Sequence, residues 1–307
     1  MPASLDCVLC LTRQSLEAAR FAVDDPVVHE RVLRKVLALV QEEGFTKIPP
    51  LVAQNIQRIV RSETGNADPY SVPKRRFNEL MLGFRDALRK RIRTSSQPLE
   101  TAVRLAIAGN TIDFALRADL DERMIHEAIE ASLRQPINGS IEEFIAAVSS
   151  AKSILYLLDN CGEIVCDQLL MEEILRLENP PKIVAVVRGA AVINDATRMD
   201  AEQIGLSETV PVIDNGNDGV GTILEQCGAE FMERFRASDL LISKGLANFE
   251  TLVEYGEESL WQRVCYLFKA KCAFISRYAG VELGDLVVRQ KFGSSPVPPV
   301  AETGEIV

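Results

Sequence analysis

Through the first half of the chain, from residue 11 to about 150, apolar positions recur at helical spacing. The segment "HERVLRKVLALVQEE" sets Val32, Leu33, Val36, Leu37, Leu39 and Val40 on a face suited to burial, and segments 97–108 and 119–134 repeat the pattern. From Lys74 to Arg93, "KRRFNELMLGFRDALRKRIR" interleaves Phe77, Leu80, Met81, Phe84 and Leu88 with basic residues, which predicts an amphipathic helix with a solvated basic face. Breaks come at "TKIPP", "SETGNADPYSVPK" and "RQPINGS", where Pro, Gly, Asn and Ser interrupt the period.

At about residue 152 the pattern changes. Short β-branched runs, "SILYLLD", "KIVAVVR", "TVPVID", "DLLISKG", "RVCYLFK" and "DLVVRQ", now alternate with helical stretches. Runs apolar on both faces and separated by helices are the sequence form of a parallel sheet covered on both sides. The expected fold is α/β: a three-layer α/β/α domain with a mostly parallel sheet, preceded by an all-helical N-terminal domain. The expected division is 1–150 for the helical domain, 151–291 for a Rossmann-like α/β domain carrying the site, and 292–307 for a Pro- and Ser-rich flexible tail.

Ligands of an open parallel sheet bind beyond the carboxyl ends of its strands. Those ends read "DNCGE" (159–163), "RGAAVINDAT" (188–197), "DNGNDGVGT" (214–222), "KGLANFE" (244–250) and "KAKC" (269–272), a set rich in Asp, Asn, Gly and basic residues that begins its second member with Arg188. Each has a plain structural reading. Asn160 with Glu163 fits a helix cap, Asp195 fits another, and Asn248 a third, while "GNTID" (109–113) reads as a turn between helices. Caps do not account for Asp159 beside Asn160, because an acid at the end of an apolar strand is costly unless paired, solvated or bound to a cation. If strands 153–158 and 183–187 are neighbours, Asp159, Asn160 and Asp195 supply three oxygen ligands to one divalent ion. Capping and metal binding stand side by side at this stage. Lys244, at the last strand end but one, reads either as an exposed side chain or as a phosphate clamp.

Composition narrows the chemistry. With 34 basic and 44 acidic residues the net charge is −10, which disfavours nucleic acid or an anionic membrane as partner. The apolar runs are too short for a membrane span, and the N-terminus lacks a basic, apolar leader, so a cytoplasmic location is expected. Only two histidines, His29 and His126, occur, both in helical, charge-rich segments. That nearly excludes HExxH zinc sites and Ser-His-Asp hydrolases and turns attention to oxygen-held magnesium or manganese. Seven cysteines in such a chain are expected to be reduced; Cys7 and Cys10 form a lone C-x-x-C whose candidate roles are a redox pair, half of a metal site or packed thiols.

Taken in order, "DCVLC", "TGNADPY", "AGNTIDF", "LDNCGEIVCD", "VVRGAAVINDAT", "VIDNGNDGVGTIL", "DLLISKGLANFETL" and "FKAKC" resemble the metal-dependent damage-control phosphatase family, long known as a domain of unknown function, in its prokaryotic C-x-x-C-containing subgroup. The resemblance runs from about residue 6 to about residue 290. It implies hydrolysis of phosphate monoesters of small metabolites, such as sugar phosphates or damaged phosphometabolites, with a divalent metal (Mn, Mg, Co or Ni). Carried over by motif, the metal ligands are Asp159, Asn160 and Asp195. Asn110, Glu163, Arg188, Lys244 and Asn248 belong to the substrate side. Asp159, Asp195, Lys244 and Asp113 belong to catalysis. Ala191 and Ala247 depart from the family pattern, which bears on specificity.

The implied mechanism has the metal polarise the phosphoryl oxygens, Lys244 offset their charge, and Asp113 or Glu163 assist the leaving alkoxide. The absence of a D-x-D-x-T signature disfavours a covalent aspartyl phosphate. Two other functions fit a parallel sheet with polar strand ends. One is an S-adenosylmethionine-dependent carboxyl methyltransferase, for which "DNCGE" is a poor glycine loop. The other is a protein that grips a phosphometabolite without turnover.

Overall fold

The computed structural model describes residues 4–111, 122–253 and 263–290; the expected tail at 292–307 and Asp113 lie outside them. The chain opens with α1 (Leu5–Ala22), α2 (Pro26–Glu43) and α3 (Pro49–Thr64). Ser4 caps α1 by accepting from Cys7 N, Asp25 caps α2 ahead of Pro26, and Gly65 ends α3 in the left-handed conformation. The three helices share a core of their own, in which Leu11, Ala18, Val32, Val36, Ile56 and Val60 meet Tyr70.

Next come α4 (Ser71–Thr94), α5 (Pro98–Thr111), α6 (Glu122–Arg134), β1 (Ile137–Gly139) and α7 (Ile141–Ser150). The α/β portion then runs β2 (Ser153–Leu157), α8 (Glu163–Ile174), β3 (Lys182–Val187), α9 (Arg198–Gln203), β4 (Val212–Asp214), α10 (Ala229–Ala237), β5 (Leu240–Lys244), α11 (Gly245–Leu252), β6 (Val264–Lys269), α12 (Ala273–Ala279) and β7 (Leu286–Arg289). The seven-stranded sheet has the order β1-β7-β6-β5-β2-β3-β4. All pairs are parallel except β6 with β7.

Side chains alternate across this sheet as strand geometry requires. Ile154, Tyr156, Leu240 and Ile242 face one side, where they pack with Phe77, Met81, Val103 and Leu169 from α4, α5 and α8. Leu155, Leu157, Leu241 and Tyr266 face the other, against Phe231, Phe249 and Ile275 from α10, α11 and α12. Helix α8 is buried almost all round, being covered by α4 and α5.

The packing therefore divides the chain elsewhere than at residue 150. Helices α4 and α5 belong to the sheet's own core, and β1 is an edge strand of the sheet; α1–α3 alone form the separate helical core. The hydrophobic pattern specifies which face of a helix is buried, but not which layer buries it.

Strand β2 lies between β5 and β3, so the chain winds outward in one direction through β3 and β4 and returns to build β5 and β6 on the other side. The crevice above the carboxyl ends of β2, β3 and β5 is the switch point of a doubly wound sheet. It is where Asp159, Asp195 and Gly245 sit.

Candidate functional site

Backbone hydrogen bonds stitch the loop after β2 to the loop after β3. Leu158 N donates to Val186 O, Ala196 N to Asp159 O at 2.8 Å, and Cys161 N to Asn194 O at 2.9 Å. Asn160 and Asp195 face each other in an isolated antiparallel bridge. The two strands are neighbours, and Asp159, Asn160 and Asp195 come together as that adjacency requires.

The competing caps are filled by other residues. Helix α8 starts after Gly162, at φ 75°, where a Cβ would lie 2.2 Å from the Phe77 ring; Gly162 N donates to Asn78 Oδ1 instead. Asn160 Nδ2 donates to Asp159 Oδ2 at 2.7 Å and to Glu163 Oε2 at 3.3 Å. Helix α9 is capped by Thr197, whose hydroxyl and backbone N–H both donate to Asp200. Neither Asn160 nor Asp195 is a cap.

Both acids are buried, and Arg188 ties them together. Its Nε donates to Asp195 Oδ2 at 2.6 Å and its Nη1 to Asn248 Oδ1 at 3.0 Å, while Nη2, buried without a hydrogen-bond partner among the described residues, lies 3.6 Å from Asp159 Oδ1. Burial pushes the Asp159 carboxyl well above its ordinary range, repulsion from Asp195 and Glu163 adds to it, and Arg188 and Lys271 pull the other way. Burial also raises Asp195 against the pull of Arg188. Arg188 is the cation hydrogen-bonded to Asp195, and Lys271 and Lys74 act on the pair by charge alone. No three His, Cys, Asp or Glu side chains converge as metal ligands among the described residues. The available set is two carboxylates and an amide oxygen, a hard-oxygen set that fits magnesium or manganese.

Lys244 requires a correction. It is fully buried, and its ammonium donates to Glu163 Oε1 at 2.5 Å, Asp167 Oδ1 at 2.6 Å and Ala106 O at 2.9 Å. All three N–H bonds are committed, so none is left to clamp a phosphate. Burial alone would lower the Lys244 pKa, but Asp167 and Glu163 raise it above its ordinary range, and Lys244 stays charged. Glu163, also fully buried, is held in this cluster beneath the site. Asp167 completes it, accepting from Tyr156 Oη at 2.7 Å as well.

Asn248 is likewise not a cap. It lies inside α11, receiving hydrogen bonds from Arg188 and Thr222 and donating to Leu158 O and Lys244 O. It is a bracket across β2, β3 and β5 rather than an exposed polar group. Gly109 and Asn110 belong to the last turn of α5, not to a turn between helices; the Asn110 side chain and Asp113 lie outside the described residues.

The cation missed as an individual is Lys271, in the "KAKC" strand end. It is half-buried and near enough to Asp159 to favour its charged form. Ile193, two residues before Asp195, is the one non-glycine residue with positive φ among the described residues, at 45°. A β-branched residue there is strained, and the loop holds it against the α1–α3 core.

The profile of the damage-control phosphatase ARMT1-like domain matches residues 3–287. The chain is 33% identical over 291 residues to an uncharacterized protein of Methanocaldococcus jannaschii, covering 93% of this chain and 94% of that protein. It is 32% identical over 297 residues to a damage-control phosphatase of Pyrococcus horikoshii, covering 95% and 99%. With a damage-control phosphatase of Archaeoglobus fulgidus it shares 30% over 289 residues, covering 92% and 97%. The crystal structure of the P. horikoshii DUF89 family protein superimposes with a TM-score of 0.86 at 31% identity, covering 95% of this chain and all of that one. The chain belongs to the damage-control phosphatase ARMT1-like family.

Proposed function

We infer that the protein hydrolyses phosphate monoesters of small, damaged metabolites at the switch point of the sheet. Family membership supports the reaction class. The observation that carries the site is the pair of buried carboxylates, Asp159 and Asp195, brought together from adjacent strand ends around Arg188. Asp159, Asn160 and Asp195 are the residues that would hold a divalent ion, which supplies Lewis-acid polarisation of the phosphoryl group when bound. Magnesium and manganese suit the oxygen donors best; cobalt and nickel are the other ions to compare.

The chain's own residues do the rest. Arg188 holds the two carboxylates in one arrangement and is itself fixed by Asn248, so the site is set before substrate arrives. Lys271, on the solvent side, takes over the charge-offsetting role that the buried Lys244 cannot perform. Lys244 holds Glu163 and Asp167 by hydrogen bonds beneath the site, and Glu163 in turn orients Asn160. With Glu163 so engaged, Asp113, from the segment after α5, is the residue we assign to protonate the leaving alkoxide, and Asn110 accompanies it on the substrate side. No structural observation favours the methyltransferase or the non-catalytic binding reading.

The test is an assay of metal-stripped protein on an aryl phosphate with magnesium, manganese, cobalt or nickel restored singly. Activity should return with the metal and be lost by a factor of at least about 100 in Asp159→Ala. Measured metal binding without turnover of any ester would sink the reading.

A further inference from the structure

Next to the site is a cavity of about 400 Å³ that the mechanism above does not use. Both parts of the fold build it. Leu11, Pro50 and Ala53 come from α1 and α3, Ile193 and Val220 from strand-end loops, and Ala247 from the first turn of α11. Two of these wall residues adjoin site residues along the chain: Ile193 is two residues from Asp195, and Ala247 precedes Asn248. Cys272, also in the wall, directly follows Lys271. Lys271, which acts on Asp159, is therefore the chain neighbour of a wall residue.

The C-x-x-C finds its place here. Cys7 and Cys10 line the same cavity as Cys272. Cys10 is exposed at the mouth and Cys272 half-buried; desolvation of their sulfurs pushes both thiols up, so they are protonated at neutral pH. A protonated thiol behaves as a small, polarizable apolar group. Glu250, in the wall, is pushed up by burial to about 8 and adds a neutral hydrogen-bonding group rather than a charge. Asp6 sits exposed at the rim.

We propose that this cavity receives the non-phosphate part of the substrate and selects phosphate monoesters of compact, largely apolar alcohols or phenols over those of polyhydroxylated sugars. The proposal rests on the phosphatase reading. Its volume falls within the range of about 300–1,000 Å³ typical of small-molecule sites. Apart from Gln14, Glu250 and the rim Asp6, the lining is apolar side chains and thiols, which offer too few partners for a full ring of hydroxyls, so most of them would lose water without replacement. A body of one or two aromatic rings fits within the space, with Glu250 and Gln14 placed to meet a polar substituent.

The experiment uses the full metal-loaded chain with phenyl phosphate, glucose 6-phosphate and methyl phosphate, the last too small to reach the cavity. Wild type should prefer phenyl phosphate to glucose 6-phosphate in kcat/KM. Ala53→Phe and, on the more exposed face of α1, Cys10→Trp should lower kcat/KM for phenyl phosphate by about tenfold or more while leaving methyl phosphate unchanged. Unchanged methyl phosphate turnover also shows that the variants fold. Independently of turnover, phenol should slow maleimide labelling of Cys10, whereas inorganic phosphate should not. Equal loss on both esters, a preference for the sugar phosphate, or labelling indifferent to phenol overturns the proposal. A wild type that hydrolyses no ester yet shows phenol protection would overturn the phosphatase reading and with it the selection among esters, leaving a cavity that binds an aromatic ring.

Discussion

Gly245 and Asp159 meet at the closest point of the site. A Cβ at 245 would fall 1.8 Å from Asp159 Oδ2, and the backbone there has φ 75°. Gly245→Ala should therefore displace the Asp159 carboxylate while adding a single carbon. We expect metal affinity, measured by calorimetry, to drop about 10–100-fold, the range typical when support of a ligand is lost; unaltered affinity would show that Asp159 does not ligate. The two lysines separate a buried from a solvent-side role. Lys244→Met strands Glu163 and Asp167, and its thermal unfolding should reveal a loss of about 3–5 kcal/mol. Lys271→Ala should leave the melting temperature near wild type and lower kcat/KM instead. The meeting of Asp159, Asn160 and Asp195 was legible in the chain because an acid and amide close an apolar strand and the neighbouring strand leads to Asp195. Lys244 was assigned the wrong neighbours because its carboxylates lie 77 and 81 residues away. Spacing along the chain carries no information about which distant helix covers a strand end.

Among the elements, α3 does most to join the N-terminal helices to the sheet. Gln54, Arg58 and Arg61 all donate to Asp218 in the glycine-rich loop after β4, and Arg61 also donates to Ala191 O in the loop that delivers Asp195. The Arg58 hydrogen bond, chiefly, holds the Asp218 carboxyl well below the usual carboxylate range. A depressed carboxyl stabilises the fold above the ordinary Asp pKa, and its contribution is lost as pH falls toward the folded value. Asp218→Asn should accordingly lower the melting temperature at pH 7 and narrow its gap to wild type as the pH falls below about 4. A constant gap across that range would mean that the charge is not what holds α3. Strand β1 shows the opposite limit of legibility. "ING", three residues beside a proline, has too few positions to show alternation, and its pairing with β7 depends on a segment some 150 residues later. The motif "TGNADPY" likewise reads as a turn until Lys74 is seen to bridge Asp68 and Asp200, tying the start of α4 to α9.

At the scale of the whole molecule, the change of hydrophobic period near residue 152 predicted the parallel sheet and all its longer strands. It did not predict that α4 and α5 complete the sheet's own core, because amphipathic helices from either layer look alike. The described residues contain no helix long and apolar enough to cross a membrane. The relatives match the chain over nearly its full span, so the N-terminal helices and the sheet belong to one inherited fold.

The sheet has two ends, and every chemical group described above sits at one of them. At the opposite end, the turn leading into β3 exposes Glu178, Asn179 and Pro180. For protein engineering this is a free port: a tag, a reporter domain or new chain termini placed there would interrupt no residue of the site. A small domain inserted between Asn179 and Pro180 should leave kcat/KM within about twofold of wild type. The same insertion after Gly221 should abolish activity, because there a Cβ would lie 2.3 Å from Ala247 O and no room exists for a new chain. The molecule can be opened from beneath without its working face registering the change.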